Sequence, residues 1–372
     1  MRIAIQAADL DASRIDGTMV YIFNLLKYFG NILPDDEFFI YHKKKFNPKL
    51  VPPEFPNYRL KKMRFPFFWT QTCFAREIWK DKPEVLWMPM HDVPFLRRRE
   101  MKVVATIHDL AFKYFPQYFP KKDLLKLNFL LDRTVKQADK LIAVSESTKK
   151  DLLKFYPQIN EKNIRVIYHG FDGKIFKKEI SDEEMETVLK KNRLRSKSYI
   201  LFVGAIQPRK NLEILIDAFD LVKKNYPELK LAIAGEKAWM WKNTGERISK
   251  SPFRKDIIIC EKVSFEELAV LYRQAAVFVF PELYAGFGLP LLEAMASGVP
   301  IIAARNSSLP EIGSDAALYF DSGNRWDLAE KINSILDDEE LRKKLVEKGR
   351  KRIENFSWEK CAKETFNYLT SF

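Results

Sequence analysis

The chain reads as an α/β protein: two doubly wound Rossmann-like domains facing each other across a cleft. Three observations carry this. Short apolar runs alternate with helix-period patterns in two successive sets, as parallel sheets with crossover helices require. The 372 residues exceed what one hydrophobic core usually supports. Between the two sets, residues 173–198 turn charged and polar, which marks a boundary.

In the first set, residues 3–6 form a strand and Asp16-Gly17-Thr18 opens a helix with Val20, Phe23, Leu26 and Phe29 on its apolar stripe. Residues 38–42, 58–61, 85–88, 102–107, 140–144 and 164–168 are further strands, and Ser145 caps the helix after 140–144. In the second set, strand 199–203 ends at Gly204. Arg209 and Lys210 precede a helix over 211–225, and strand 229–234 leads to Gly235 and Glu236. Strand 256–260, a helix capped by Ser264, and strands 277–280, 301–303 and 317–320 follow, then three helical patterns, the last around 358–366.

Composition narrows the classes. At 47% apolar and 30% charged the chain is an ordinary globular one, and no apolar run is long enough to span a bilayer. Cys73, Cys260 and Cys361 are widely spaced and odd in number, as reduced thiols of a cytoplasmic protein would be, and the N-terminus has no signal-peptide pattern. The formal charge of +13 attracts nucleic acid, anionic lipid or a phosphorylated substrate, and no nucleic-acid motif accompanies it. A single Gly17 after the first strand argues against a dinucleotide fingerprint.

The stretch FVFPELYAGFGLPLLEAMASGVP, residues 278–300, concentrates the chemistry. A buried strand meets a turn with Gly286, Phe287 and Gly288. A helix then opens at Leu289-Pro290 and closes at Gly298. Backbone N–H groups at such a helix start suit a phosphate, and Glu293 lies one turn on, able to accept from a ribose diol. A tight strand-to-helix connection with a solvated Glu293 explains the Gly-x-Gly equally well when it is read alone. Arg209 and Lys210 sit where cations oppose a helix dipole, a placement an anion would relieve. His108 follows strand 102–107, where open α/β sheets bind ligands. Between Arg64 and Lys80, Phe65, Phe67, Phe68, Trp69, Phe74 and Trp79 stand among basic residues, as at a membrane interface or in a domain core.

The string PELYAGFGLPLLEAMASGVPIIA closely resembles the signature of retaining glycosyltransferases of the GT-B fold, family four, in which a Glu, seven residues and a second Glu recur. Glu293 matches the second Glu; the first falls on Ala285. LFVGAIQPRKNLEILIDAF resembles the family's phosphate-binding segment, with Ala205 where some relatives carry Arg. TIHDLAFKYFPQYF resembles its His-Asp segment, and residues 164–172 resemble the end of its first domain, with His169 where Asn is usual. The resemblance implies domains at 1–172 and 199–355, a linker at 173–198, and a final helix, 356–372, crossing back to the first domain.

It further implies sugar transfer from a nucleotide sugar with retention and no metal cofactor, with GDP-mannose as first choice of donor. Arg209, Lys210 and His108 would be the catalytic groups. Gly204, Glu236, Ala285, Gly286, Phe287, Gly288, Leu289 and Glu293 would bind the donor, and Gly17 and Asp109 would lie on the acceptor side. The acceptor would be a glycan or lipid-linked, and the enzyme cytoplasmic and peripheral on the inner face of an anionic membrane, without nucleic acid. Ala285 leaves three explanations open: a variant in which another group such as Glu282 compensates, a transferase-like binding protein with weakened catalysis, or an inactivating substitution. A basic nucleic-acid binder is the remaining alternative.

Overall fold

The computed structural model describes residues 1–32, 34–64 and 68–372. Seven strands form the first sheet: β1 (Arg2–Gln6), β2 (Glu37–His42), β3 (Tyr58–Lys62), β4 (Val85–Met88), β5 (Lys102–Ile107), β6 (Lys140–Ala143) and β7 (Ile164–Val166). Their spatial order is β3-β2-β1-β4-β5-β6-β7, with every pair parallel. The second sheet holds β8 (Tyr199–Val203), β9 (Lys230–Ala234), β10 (Ile257–Cys260), β11 (Val277–Phe280), β12 (Ile301–Ala304) and β13 (Ala317–Phe320). Its order is β10-β9-β8-β11-β12-β13, again all parallel. The chain starts mid-sheet, winds outward, then reverses: both sheets are doubly wound.

The central strands have no polar face because helices cover both sides, whereas the edge strand β3, YRLKK, is largely exposed. β8, YILFV, and β11, VFVF, are buried at every position, as parallel central strands must be. The helix Gly17–Ile32 buries Met19, Ile22, Leu25, Leu26 and Phe29. Trp87 is wholly buried beside it, and its indole N–H donates to Thr106 Oγ1 at 3.1 Å, so the ring enters the core without an orphaned donor.

The chain divides into two compact units, Met1–Gly170 with Ser357–Phe372, and Phe171–Phe356. The last segment returns to the first unit, where helix Trp358–Thr370 packs on helix Gly17–Ile32. Gly170 makes the close approach possible, since a Cβ there would lie 2.0 Å from the Trp358 nitrogen. Residues 173–198, read from their charge as a linker, form two helices within the second unit, Gly173–Phe176 and Asp182–Lys191. Phe176 meets the Tyr272 ring edge-on at 6.0 Å, and Ser181 with Glu184 closes a capping box. An amphipathic helix with one charged face looks like a linker by composition, and only its packing shows the difference.

Candidate functional site

In an open doubly wound sheet the crevice lies beyond the carboxyl ends of the two strands where the winding reverses. In the second unit these are β8 and β11, paired at Val277 and Ile200. Gly204–Asn211 and Pro281–Gly288 leave the sheet side by side there, and the N–H of Leu283 donates to the Arg209 carbonyl at 3.0 Å. Gly204 has φ +145°, open to glycine alone, and a Cβ on Gly235 would lie 1.9 Å from the Gly204 oxygen. Glu236 is exposed beyond it, and its carbonyl accepts from Ile206.

Arg209 and Lys210 are brought together as the sequence suggests, but not free of an anion. Glu282 answers both: Arg209 Nη1 donates to Oε1 at 2.5 Å and Lys210 Nζ to Oε2 at 2.6 Å. Arg209 also donates to the Tyr284 carbonyl. Glu282 is 2% exposed, its cations 14% and 15%. The anion expected to relieve these cations is thus already supplied by the protein. Each Glu282 oxygen accepts from one of the two cations, so the carboxylate near Ala285 is turned toward Arg209 and Lys210. The triad carries one net positive charge at a strand end, and Asn211 tolerates the left-handed turn behind it, φ 55°.

Gly288 caps helix Leu289–Ser297 at φ 97°, and Gly298 ends it at φ 70°. Gly286 is not in the left-handed region, and Pro290 takes the second helical position, where its missing N–H is equally unneeded. Phe287 and Leu289 flank the turn. Ala285 is buried, and its N–H donates to Ser307 Oγ at 2.9 Å. The Ser308 hydroxyl reaches the carbonyls of Ala285 and Phe287 at 2.8 and 2.9 Å. Ser307 and Ser308 thereby fix the loop that would face a phosphate. Sequence spacing does not point to this role, because both serines follow a different strand, β12.

Glu293 is half-buried on the same helix, and the Tyr272 hydroxyl donates to its Oε2 at 3.0 Å. Burial pushes its carboxyl up to about 7 from an ordinary 4.5, against the smaller opposing effect of Tyr272. The folded state therefore holds this proton more tightly than the unfolded one. Its contribution to stability is complete below 4.5 and is lost as pH rises through about 7. Ligand binding runs the other way, because the ionised carboxylate is the better diol acceptor. Nucleoside diphosphate affinity is expected to rise from pH ~6 to pH ~8, and Glu293→Gln to flatten that rise. Identical calorimetric pH profiles for both proteins would exclude Glu293 as the diol acceptor.

In the first unit His108 follows β5, with Nε2 2.9 Å from the Pro89 carbonyl. A carbonyl only accepts, so Nε2 carries the proton and Nδ1 keeps its lone pair. Burial pushes this imidazole below its ordinary range, against the opposing effect of the Pro89 hydrogen bond, and so favours the neutral ring. Tyr21 stands edge-on to it at 5.1 Å, and His169 stacks on Tyr21 at 4.7 Å. Asp109 accepts from the Ala111 N–H at 3.0 Å and so shapes the turn. Gly17 begins its helix exposed, and Asp16 accepts from the N–H groups of Thr18 and Met19.

The aromatic segment divides. Trp69 and Phe74 belong to the core, Phe68 and Trp79 are exposed, and Phe65 and Phe67 lie outside the described residues. The exposed apolar surface extends well beyond that segment. Helix Lys121–Gln137 leaves Leu125 and Phe129 exposed, the latter 6.0 Å from the Phe95 ring, with Arg133 3.7 Å over Phe95. Leu96 is 73% exposed, and Arg98 lies over Trp79 at 6.0 Å. Exposed Lys121, Lys122 and Lys126 border this surface. The signal for it lies in KKDLLKLNFLLDRTVKQ, whose leucines spread over more than one helical face. No helix among the described residues is long and apolar enough to cross a membrane.

Two parallel Rossmann-like sheets, with a cation pair and a glycine-capped helix at the second switch point, are the GT-B architecture of glycosyltransferases. Residues 184–352 match the family model "Glycosyl transferases group 1" and residues 32–174 match "Glycosyltransferase Family 4", and the chain belongs to these glycosyltransferases. It is 29% identical over 277 residues to O-antigen chain mannosyltransferase B of Escherichia coli, covering 73% of this chain and 71% of that protein. An uncharacterized glycosyltransferase of Methanocaldococcus jannaschii is 33% identical over 243 residues, covering 64% and 62%. Among solved structures, sucrose-phosphate synthase from Thermosynechococcus elongatus superposes with TM-score 0.78 at 19% identity, over 100% of this chain and 98% of that one. WaaG, a glycosyltransferase involved in lipopolysaccharide biosynthesis, gives 0.76 at 14%, with 100% of both chains covered.

Proposed function

We propose that the protein transfers mannose from GDP-mannose, with retention at the anomeric carbon, to a glycan or lipid-linked acceptor in surface-polysaccharide assembly. The observation that carries this is the Arg209–Lys210–Glu282 triad at the switch point, beside the N–H groups of the turn at Phe287 and Gly288. Charge that develops on a leaving diphosphate is stabilised by fixed donors already in place. Glu293 holds the ribose, and His108 offers Nδ1 to a hydroxyl of the transferred sugar. The cations take the neutralising part that a metal ion would otherwise play, so chelators leave the rate unchanged. The mannosyl choice follows the E. coli O-antigen relative.

A panel of nucleotide sugars with product analysis tests this: GDP-mannose consumption giving an α-linked mannoside is expected. Binding of nucleotide sugars with no turnover on any acceptor or water would mark a transferase-like binding protein, one of the readings that Ala285 leaves open. The first unit further rests on anionic lipid through Phe68, Trp79, Leu96, Leu125 and Phe129, with Lys121, Lys122 and Lys126 exposed on the helix that carries Leu125 and Phe129. Vesicle binding should weaken as salt rises, and by about 1 kcal/mol for each lysine on this surface replaced by a neutral residue. Equal sedimentation with neutral and anionic vesicles would count against this surface.

A further inference from the structure

A cavity of about 670 Å³ opens in the second unit away from the triad. Helix Leu289–Ser297 starts at the switch point and ends at this cavity, whose wall includes Ser297 and Gly298. Nine residues of α-helix separate the two places by about 13 Å. Lys197, just ahead of β8, and Arg273, at the end of helix Phe265–Gln274, also line it, so it lies at the amino-terminal edge of the sheet.

Four cations, Lys177, Lys197, Arg273 and Arg350, converge here against two carboxylates, Glu179 and Glu354. Lys197 spends its ammonium on the helix end, donating to the carbonyls of Arg273 and Ala275 at 2.5 and 3.2 Å. Burial, then the like charges of Arg273 and Arg342, push that ammonium below its ordinary range. Arg273 reaches the Lys178 carbonyl with one nitrogen, and Arg350 lies over Gly298, 3.7 Å from where a Cβ would sit. Among the described residues no ion pair joins Lys177, Arg273 or Arg350 to a carboxylate. The Ser297 hydroxyl, buried in the wall, has no hydrogen-bond partner. The carbonyl ends of two helices point this way and oppose an anion with on the order of half a charge each. Lys197 already answers one of them, and the C-cap N–H of Gly298 the other.

We propose that this cavity is a second anion site, which takes a phosphate or pyrophosphate group of a ligand other than the sugar donor. Guanidinium forks match phosphate oxygens in pairs, and clustered cations that outnumber the nearby carboxylates and form no ion pair with them are relieved by such a group. Titration calorimetry of the full chain with sodium pyrophosphate tests it. A binding equivalent is expected that survives Arg209→Ala/Lys210→Ala/Glu282→Gln and weakens at least ~10-fold in Arg273→Gln/Arg350→Gln, with Arg350→Gln alone as the milder variant that spares the Lys178 contact. Sedimentation with phosphatidylglycerol vesicles separates the sources of the phosphate. Pyrophosphate binding identifies a free phosphorylated ligand; vesicle binding alone, weakened by Arg350→Gln in a chain whose Lys121, Lys122 and Lys126 are already replaced by Gln, identifies a lipid headgroup, and either upholds the site. Neither binding, or binding indifferent to Arg273 and Arg350, overturns it. Because Arg273→Gln/Arg350→Gln leaves Arg209 and Lys210 in place, failure here leaves the transferase reading untouched.

Discussion

Glu282→Gln is expected to destabilise the ligand-free protein by roughly 3 kcal/mol, the low end for removing one member of a buried ion pair. Two cations, each about one-seventh exposed, lose their counter-charge, while the amide keeps the shape of the side chain. Their residual exposure to solvent softens the effect. A nucleoside diphosphate should reverse it, because it supplies the charge that was removed and no longer shares the cations with Glu282. Urea unfolding with and without GDP measures both terms. An unchanged midpoint in the ligand-free protein, or equal stabilisation by GDP in both proteins, would refute the account of the triad.

The second large effect is expected in Arg209→Ala/Lys210→Ala made on the Glu282→Gln background. The double alanine variant alone would leave Glu282 buried without a cation and confuse unfolding with weakened affinity. With the carboxylate neutralised, two charge-assisted hydrogen bonds to the diphosphate are removed, roughly 1.5–3 kcal/mol each. Affinity for GDP should fall by roughly 10²–10⁴ relative to Glu282→Gln alone. If titration calorimetry finds the same affinity in both, the triad is a brace between two loops and the diphosphate lies elsewhere.

These experiments address a feature that one-dimensional reading does not resolve. Glu282 is visible in the sequence as a carboxylate near Ala285, yet its partners are 72 and 73 residues away, on the loop after β8. Nothing in the spacing says that β8 and β11 are neighbours; the sheet order does. Ser307 and Ser308 are likewise readable as a turn, but their grip on the Ala285 loop depends on β12 lying beside β11. The aromatic segment is ambiguous for a different reason. Phe68 and Phe74 are chemically alike, and only packing sends one to solvent and the other to the core.

What the sequence determined by itself was everything set by local physics. Alternating apolar runs marked the strands and the two-unit plan. Ser145 and Ser264 announced helix starts that the structure shows, their hydroxyls accepting from the Thr148 and Glu267 N–H groups. Gly298 announced a helix end, since only a residue at ease in the left-handed region closes a helix this way. Tertiary structure decided whatever depends on which distant segments touch: the carboxylate partner of the Arg209–Lys210 pair, the burial that raises Glu293, the nitrogen of His108 that donates to Pro89, and the exposed face of helix Lys121–Gln137. Charge pairing and desolvation act through space over a few ångströms, and sequence separation carries no record of those distances.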